Sequence, residues 1–217
     1  TKIIVPERRS DFLSRKRLLA LMYQLVDKKL TLISAPAGYG KTSALIDFAH
    51  QSDLPVCWLS LDTLDKDPQR FIGYFIAALS QCFSSFGVQA ESLLTKITSF
   101  ESEQMEGLVV TLVNDLYEHA REHFVVILDD YHLVDYVEEI QHFINRFVQL
   151  VDENCHLIIS SRVLIPIPDL PLMVARQQVD GLSNLELAFQ ADEIQALFEK
   201  NYQTSLSKSA AQALESV

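Results

Sequence analysis

Two rhythms of apolar and polar positions alternate along this chain. Short, nearly wholly apolar runs at Leu30 to Ser34, Val56 to Leu61, Phe124 to Leu128 and Cys155 to Ser160 have the length and β-branched content of buried strands. Between them, apolar residues recur every three or four positions and predict helices over about Arg15 to Asp27, Lys41 to Gln51, Pro68 to Phe86, Glu103 to Glu122 and Val137 to Leu150. Phe71, Phe75, Leu79 and Phe83 share one helical face and read as core. Pro68 suits a first helical turn, with Asp67 as its N-cap. Ser84 to Ser102 is less periodic and reads as a surface loop holding a short helix. Strands that alternate with helices predict an α/β domain of three layers with a mostly parallel sheet.

The texture changes after Arg162, where VLIPIPDLPLMVARQQ carries three prolines and few charges, as an ordered connection leaving the sheet would. Beyond Phe189, Ile194, Leu197 and Phe198 at helical spacing predict a helix of about ten residues, and Ser207 can cap another. The chain thus divides into an arm and helix over 1–29, a core over 30–165, a connection over 166–189 and a small helical extension over 190–217. Beginning at Thr1 and ending in mid-helix, it reads as a trimmed piece of something longer.

At 217 residues, 48% apolar and 22% charged, the chain suits a globular domain with a sizeable core. No apolar run approaches the roughly 18 residues of a membrane span, and TKIIVPERRSDF lacks a signal-peptide core, so a cytoplasmic protein without membrane partners is expected. Cys57, Cys82 and Cys155 are far apart in apolar segments and read as buried, reduced thiols. The net charge of −11 is uneven: Lys2 to Lys29 holds eight basic residues against three acidic, and the rest ten against 26. Most of the chain therefore repels a nucleic-acid backbone. The one basic cluster, Arg8, Arg9, Arg15, Lys16 and Arg17, reads as the wall of a pocket or a solvated helix face rather than a DNA site.

LTLISAPAGYGKTS, Leu30 to Ser43, sets a strand against a glycine-bearing turn that runs into a helix. The backbone N–H groups of Ala37, Gly38, Tyr39, Gly40, Lys41, Thr42 and Ser43 can converge there on an anion at the helix N-terminus. Lys41 can reach the β- and γ-phosphates of a nucleotide, and the Thr42 hydroxyl can ligate Mg²⁺. Ala35 replaces the first glycine of the G-x-x-x-x-G-K-[ST] pattern, which the turn tolerates because Pro36 already fixes a negative φ. The apolar strand Phe124 to Leu128 ends in Asp129 and Asp130. Asp129 is assigned to the magnesium shell and Asp130 to activation of an attacking water, although such a pair can also be a turn or helix cap. Arg162, at the end of the next strand, is placed to pair with a γ-phosphate and sense nucleotide state, or else to form a surface ion pair.

With these elements in this order, the chain resembles the nucleotide-binding region of the MalT-like branch of STAND ATPases, relatives of the AAA+ proteins. SAPAGYGKT (Ser34 to Thr42), CWLSLD (Cys57 to Asp62), DPQRF (Asp67 to Phe71), LDDYH (Leu128 to His132) and SSR (Ser160 to Arg162) carry the resemblance over nearly the whole chain. It implies that Lys41 and Thr42 bind phosphate and magnesium, that Asp129 is the Walker B acid and Arg162 the first sensor. Leu13-Ser14-Arg15 looks like the segment that lies against the adenine, with Ser14 where related ATPases often have Gly. Such proteins are slow ATPases that switch between an ADP-bound closed form and an ATP-bound, self-associating form. Many are transcription activators that meet DNA only through a C-terminal helix-turn-helix, so this chain would be the N-terminal part of one, with a winged-helix subdomain beyond Val217.

A small-molecule P-loop kinase is the alternative reading, but the region from Lys41 onward is poor in the basic residues an acceptor pocket would need. A DNA-binding module in its own right conflicts with the acidity. His119-Ala120-Arg121-Glu122-His123 fits the letter of the H-x-x-E-H zinc-peptidase pattern, but a polar helix end before a strand explains it without metal. His132 reads as packing.

Overall fold

A computed structural model describes residues 2–8, 12–97 and 99–215. Five strands form one parallel sheet: β1 (Leu30–Ser34), β2 (Val56–Ser60), β3 (Phe124–Asp129), β4 (Cys155–Ser161) and β5 (Val179–Leu182), in the order β2-β3-β4-β1-β5. Each residue of β3 and β4 is buried, as strands covered on both faces require.

Ten α-helices accompany the sheet in the described chain. They are α1 (Lys16–Leu25), α2 (Lys41–Gln51), α3 (Pro68–Cys82), α4 (Val88–Leu94), α5 (Ser102–His119), α6 (Glu138–Leu150), α7 (Leu170–Ala175), α8 (Asn184–Leu187), α9 (Ala191–Tyr202) and α10 (Lys208–Glu215). Alternation along the strands sends Leu59, Val126, Leu128, Leu157 and Ile159 into a core shared with α3, α5 and α6. Ile33, Trp58, Val125, Ile127 and Ile158 face α1 and α2 on the other side, giving the expected three layers.

Local chemistry sets the helix ends. Asp67 caps α3 by accepting the Arg70 amide at 2.8 Å, with Pro68 in the first turn. On α6, Ile140, Phe143, Ile144, Phe147 and Val148 form one buried stripe. Phe75 of α3 meets Phe143 and Phe147 edge-on, with ring centroids 5.2 and 4.9 Å apart. Ser207 accepts the Ala210 amide at 3.2 Å at the start of α10. All three cysteines are free; Cys57 and Cys155 are buried and Cys82 is half-buried.

The sheet does not end at Arg162. β5 lies within the segment that the sequence reads as a connection, and it pairs in parallel with β1 from Leu30 opposite Val179 to Ile33 opposite Leu182. α3 ends at Cys82 and α5 at His119, each short of the predicted end. No helix among the described residues is long and apolar enough to cross a membrane.

Candidate nucleotide site

β1 lies between β4 and β5, so the loop leaving it opens at the carboxyl edge of the sheet, beside the ends of β3 and β4. Gly38 and Gly40 adopt φ of +92° and +75°, and a Cβ on either would meet nothing within 4 Å. Backbone conformation, rather than crowding, therefore calls for glycine at both. α2 starts directly after Gly40, so its first amides face the loop.

Lys41 folds back beneath this turn. Its Nζ donates to the Ala35 carbonyl at 2.6 Å and to the Pro36 carbonyl at 3.0 Å. Burial lowers its pKa; Asp130 opposes that shift, Arg162 adds to it and Asp129 opposes it. Thr42 is half-buried, and its side chain lies close enough to Asp129 to help lower the pKa of that carboxyl group. The helix that follows the loop and the strand that ends in the acid thus meet at this pair. Burial raises the Asp129 pKa, against the hydrogen bond from Ser160 and the nearby Thr42 hydroxyl.

Asp130 takes a left-handed conformation, φ 61°, and opens a short 3₁₀ turn, Tyr131–Leu133. Its carboxylate is half-exposed and stands 3.8 Å from His132 Nδ1. Arg162 is exposed immediately after β4 and close enough to Lys41 and His132 to lower both pKa values. Lys41 and Thr42 at the start of α2, Asp129 and Asp130 at the end of β3 and Arg162 after β4 therefore lie near one another.

A cavity of about 590 Å³ continues from the loop, lined by Gly38, Gly40, Thr42 and Ser43 at one end. Its far walls are Phe12, Leu13 and Arg15 of the N-terminal arm, and Phe189, Leu197 and Asn201 of the C-terminal segment. Tyr39 packs on the α1–α2 side, and Ala37 is exposed at the tip of the turn. Of the basic cluster, Arg8 and Arg15 line the cavity and Lys16 is exposed, while Arg9 lies outside the described residues.

Asp47 of α2 anchors the arm. It is 2% exposed, accepts the Ser14 hydroxyl at 2.6 Å and pairs with Arg8 at 2.9 Å. Sequence reasoning passed over Asp47, Ser160 and Glu193. A carboxylate or hydroxyl in an otherwise apolar stripe was the available signal, because a buried polar group demands partners. His119 and His123 do not act together: His119 Nδ1 bonds the Asp115 carbonyl at 2.8 Å, and His123, beyond α5, bonds His156.

Sheet order, phosphate loop and paired acids define the class: a three-layer P-loop NTPase fold of the AAA+ and STAND type. The ORC1 protein of Aeropyrum pernix, solved in complex with DNA, matches 94% of this chain and 52% of its own with a TM-score of 0.54 at 14% identity. A Walker-type ATPase of Pyrococcus abyssi matches 96% and 64% with a TM-score of 0.50, also at 14% identity. No protein-family model matches. The chain is 35% identical over 202 residues to the HTH-type transcriptional regulator MalT of Serratia proteamaculans, covering 92% of this chain and 21% of that protein. With MalT of Vibrio parahaemolyticus it shares 30% over 215 residues, 99% of this chain and 23% of the relative. It is a MalT-like STAND ATPase region, and it spans about a fifth of the length of these relatives.

Proposed function

We propose that this chain is the nucleotide-binding switch of a MalT-like transcription regulator, binding ATP and ADP with Mg²⁺ and hydrolysing ATP slowly. The observation that carries the reading is the juxtaposition of Thr42 and Asp129 beneath a loop whose lysine is held inside it. A hydroxyl and a carboxylate oxygen side by side are hard donors that suit magnesium and leave room for phosphate oxygens and water. Magnesium held by Thr42 and Asp129 would neutralise charge on the terminal phosphates.

The chain's own groups would do the rest. Lys41 exchanges its two carbonyl partners for β- and γ-phosphate oxygens. Ala37 to Ser43 direct amides at the same oxygens. Asp130 orients the attacking water and takes its proton, and Arg162 faces the γ-phosphate. The nucleoside occupies the cavity between the arm and the C-terminal segment, where Leu13 and Arg15 line one wall. Regulation of transcription, self-association in the ATP state and contact with DNA through a separate helix-turn-helix belong to this proposal as properties of a longer protein.

Titration calorimetry with ATP and ADP tests it, with Lys41→Ala as control. Binding that requires Lys41 is expected; equal affinity in the variant would remove the loop from the site and the reading with it.

A further inference from the structure

Arg15 and Glu193 come together from opposite ends of the chain. Arg15 is 8% exposed, and its guanidinium is held from the side of the C-terminal segment. The terminal nitrogens donate to the Leu187 carbonyl at 2.8 Å, the Ala188 carbonyl at 2.6 Å and Glu193 Oε2 at 2.7 Å. Its Cζ lies over the Phe189 ring, 4.1 Å from the ring centre. Arg17 reaches the same turn, donating to the Glu186 carbonyl at 2.8 Å and to Glu193 Oε2 at 3.4 Å.

Two guanidinium groups thus converge on one carboxylate oxygen. Glu193 Oε1, Arg15 Nε and Arg17 Nε are buried without a hydrogen-bond partner among the described residues. A buried ion pair with unsatisfied atoms is a poor device for stability alone, because desolvation offsets most of its attraction. Its location suggests another use. The arm and the segment from Phe189 into α9 both line the cavity beyond the phosphate loop, and these contacts, with Lys200 donating to the Phe12 carbonyl, join one wall to the other.

We propose that Arg15, Arg17 and Glu193 form a clasp that positions both walls around the nucleoside, so that recognition of base and ribose, unlike that of the phosphates, depends on it. Arg15 is then a positioning residue whose charge faces Glu193, not a ligand of the phosphates. Because Glu193 sits in the first turn of α9, the clasp also links cavity occupancy to the docking of that helix. Linkage is reciprocal: whatever factor the docked helix adds to nucleotide affinity, the nucleotide returns to docking.

This inference rests on the nucleotide reading, and two ligands separate them. Inorganic tripolyphosphate engages the loop alone, whereas ATP also needs the walls. In Glu193→Gln, ATP binding should weaken about tenfold, the factor given by about 1.4 kcal/mol, while tripolyphosphate stays within about twofold. Hydrogen exchange supplies a second readout: ATP should protect α9 amides in the unaltered chain, tripolyphosphate should not, and Glu193→Gln should lose the effect.

Unchanged ATP affinity in a folded Glu193→Gln chain, or a parallel loss of both ligands, overturns the clasp. If that variant fails to fold, Arg17→Gln, which leaves the shorter Arg15–Glu193 pair in place, decides: it must weaken ATP and spare tripolyphosphate. An unaltered chain that binds neither ligand overturns the nucleotide reading and the clasp together. One that binds both, with every variant unchanged, overturns the clasp alone.

Discussion

Ser160 Oγ donates to Asp129 Oδ1 and accepts the Asp130 amide at 3.1 Å, so one buried hydroxyl fixes both acids at the end of β3. The second contact helps hold Asp130 at φ 61°, a left-handed conformation that is uncommon outside glycine. Ser160→Ala leaves a buried acceptor and a buried amide short of a partner, a loss of about 1–3 kcal/mol. Stability in urea should fall by that amount. ATP turnover should fall further than ATP affinity, since the loop itself is untouched, and Ser160→Thr should restore turnover. Wild-type turnover in a folded Ser160→Ala chain would show that Asp130 needs no such support.

Arg162 and Lys41 lie near one another, and each carries positive charge toward the place assigned to the terminal phosphate. In the proposed ATP complex a γ-phosphate would use both. Arg162→Ala is therefore expected to bring the ATP and ADP affinities together, mainly by weakening ATP, by about 1 kcal/mol or more for a lost charge-assisted contact. Because Arg162 is exposed, melting of the nucleotide-free chain should hardly change. Equal responses of mutant and wild type to the two nucleotides would remove Arg162 as a sensor.

A Cβ built on Gly181 would lie 2.1 Å from the Leu32 carbonyl oxygen. The carbonyl belongs to β1, so Gly181→Ala must push β5 away from the strand that carries the phosphate loop. Loss of several hydrogen bonds predicts destabilisation of about 2–4 kcal/mol, read by chemical unfolding. Amide exchange should be fastest along Val179 to Leu182. An alanine variant as stable as wild type would mean that the edge strand contributes little.

That glycine also explains why β5 escaped the sequence. VDGL is four residues long and holds Asp and Gly, both depleted in strands, and only its close approach to Leu32 gives the glycine a reason. Strands β1 to β4 were legible because burial on both faces makes them predominantly apolar. The phosphate loop and the acids were legible because their chemistry is local in sequence. The meeting of Arg15 with Glu193, and of Ser14 with Asp47, was not: a partner 178 residues away leaves no periodic trace, and only a buried charge hints that one exists.

At the opposite end of the sheet, His123 Nδ1 and His156 Nε2 are 2.9 Å apart with nearly parallel rings, and His156 Nδ1 is 3.1 Å from the Lys28 carbonyl. A carbonyl can only accept, so His156 carries its proton on Nδ1 and accepts the His123 N–H on Nε2. A second proton on His156 would reverse that bond and force His123 into its other tautomer. Burial lowers the His156 pKa; the Lys28 carbonyl opposes the shift, the His123 ring adds to it and Asp27 opposes it. A histidine with a depressed folded pKa contributes stability that is complete above its unfolded value of about 6.5 and is lost as pH falls from there through the folded value. The unfolded chain binds the extra proton first, at up to about 1.4 kcal/mol per pH unit. Urea unfolding at about pH 7.5 and pH 5.5 should therefore show wild type losing more stability than His156→Gln, which cannot titrate. Parallel losses in the two chains would place the acid sensitivity elsewhere.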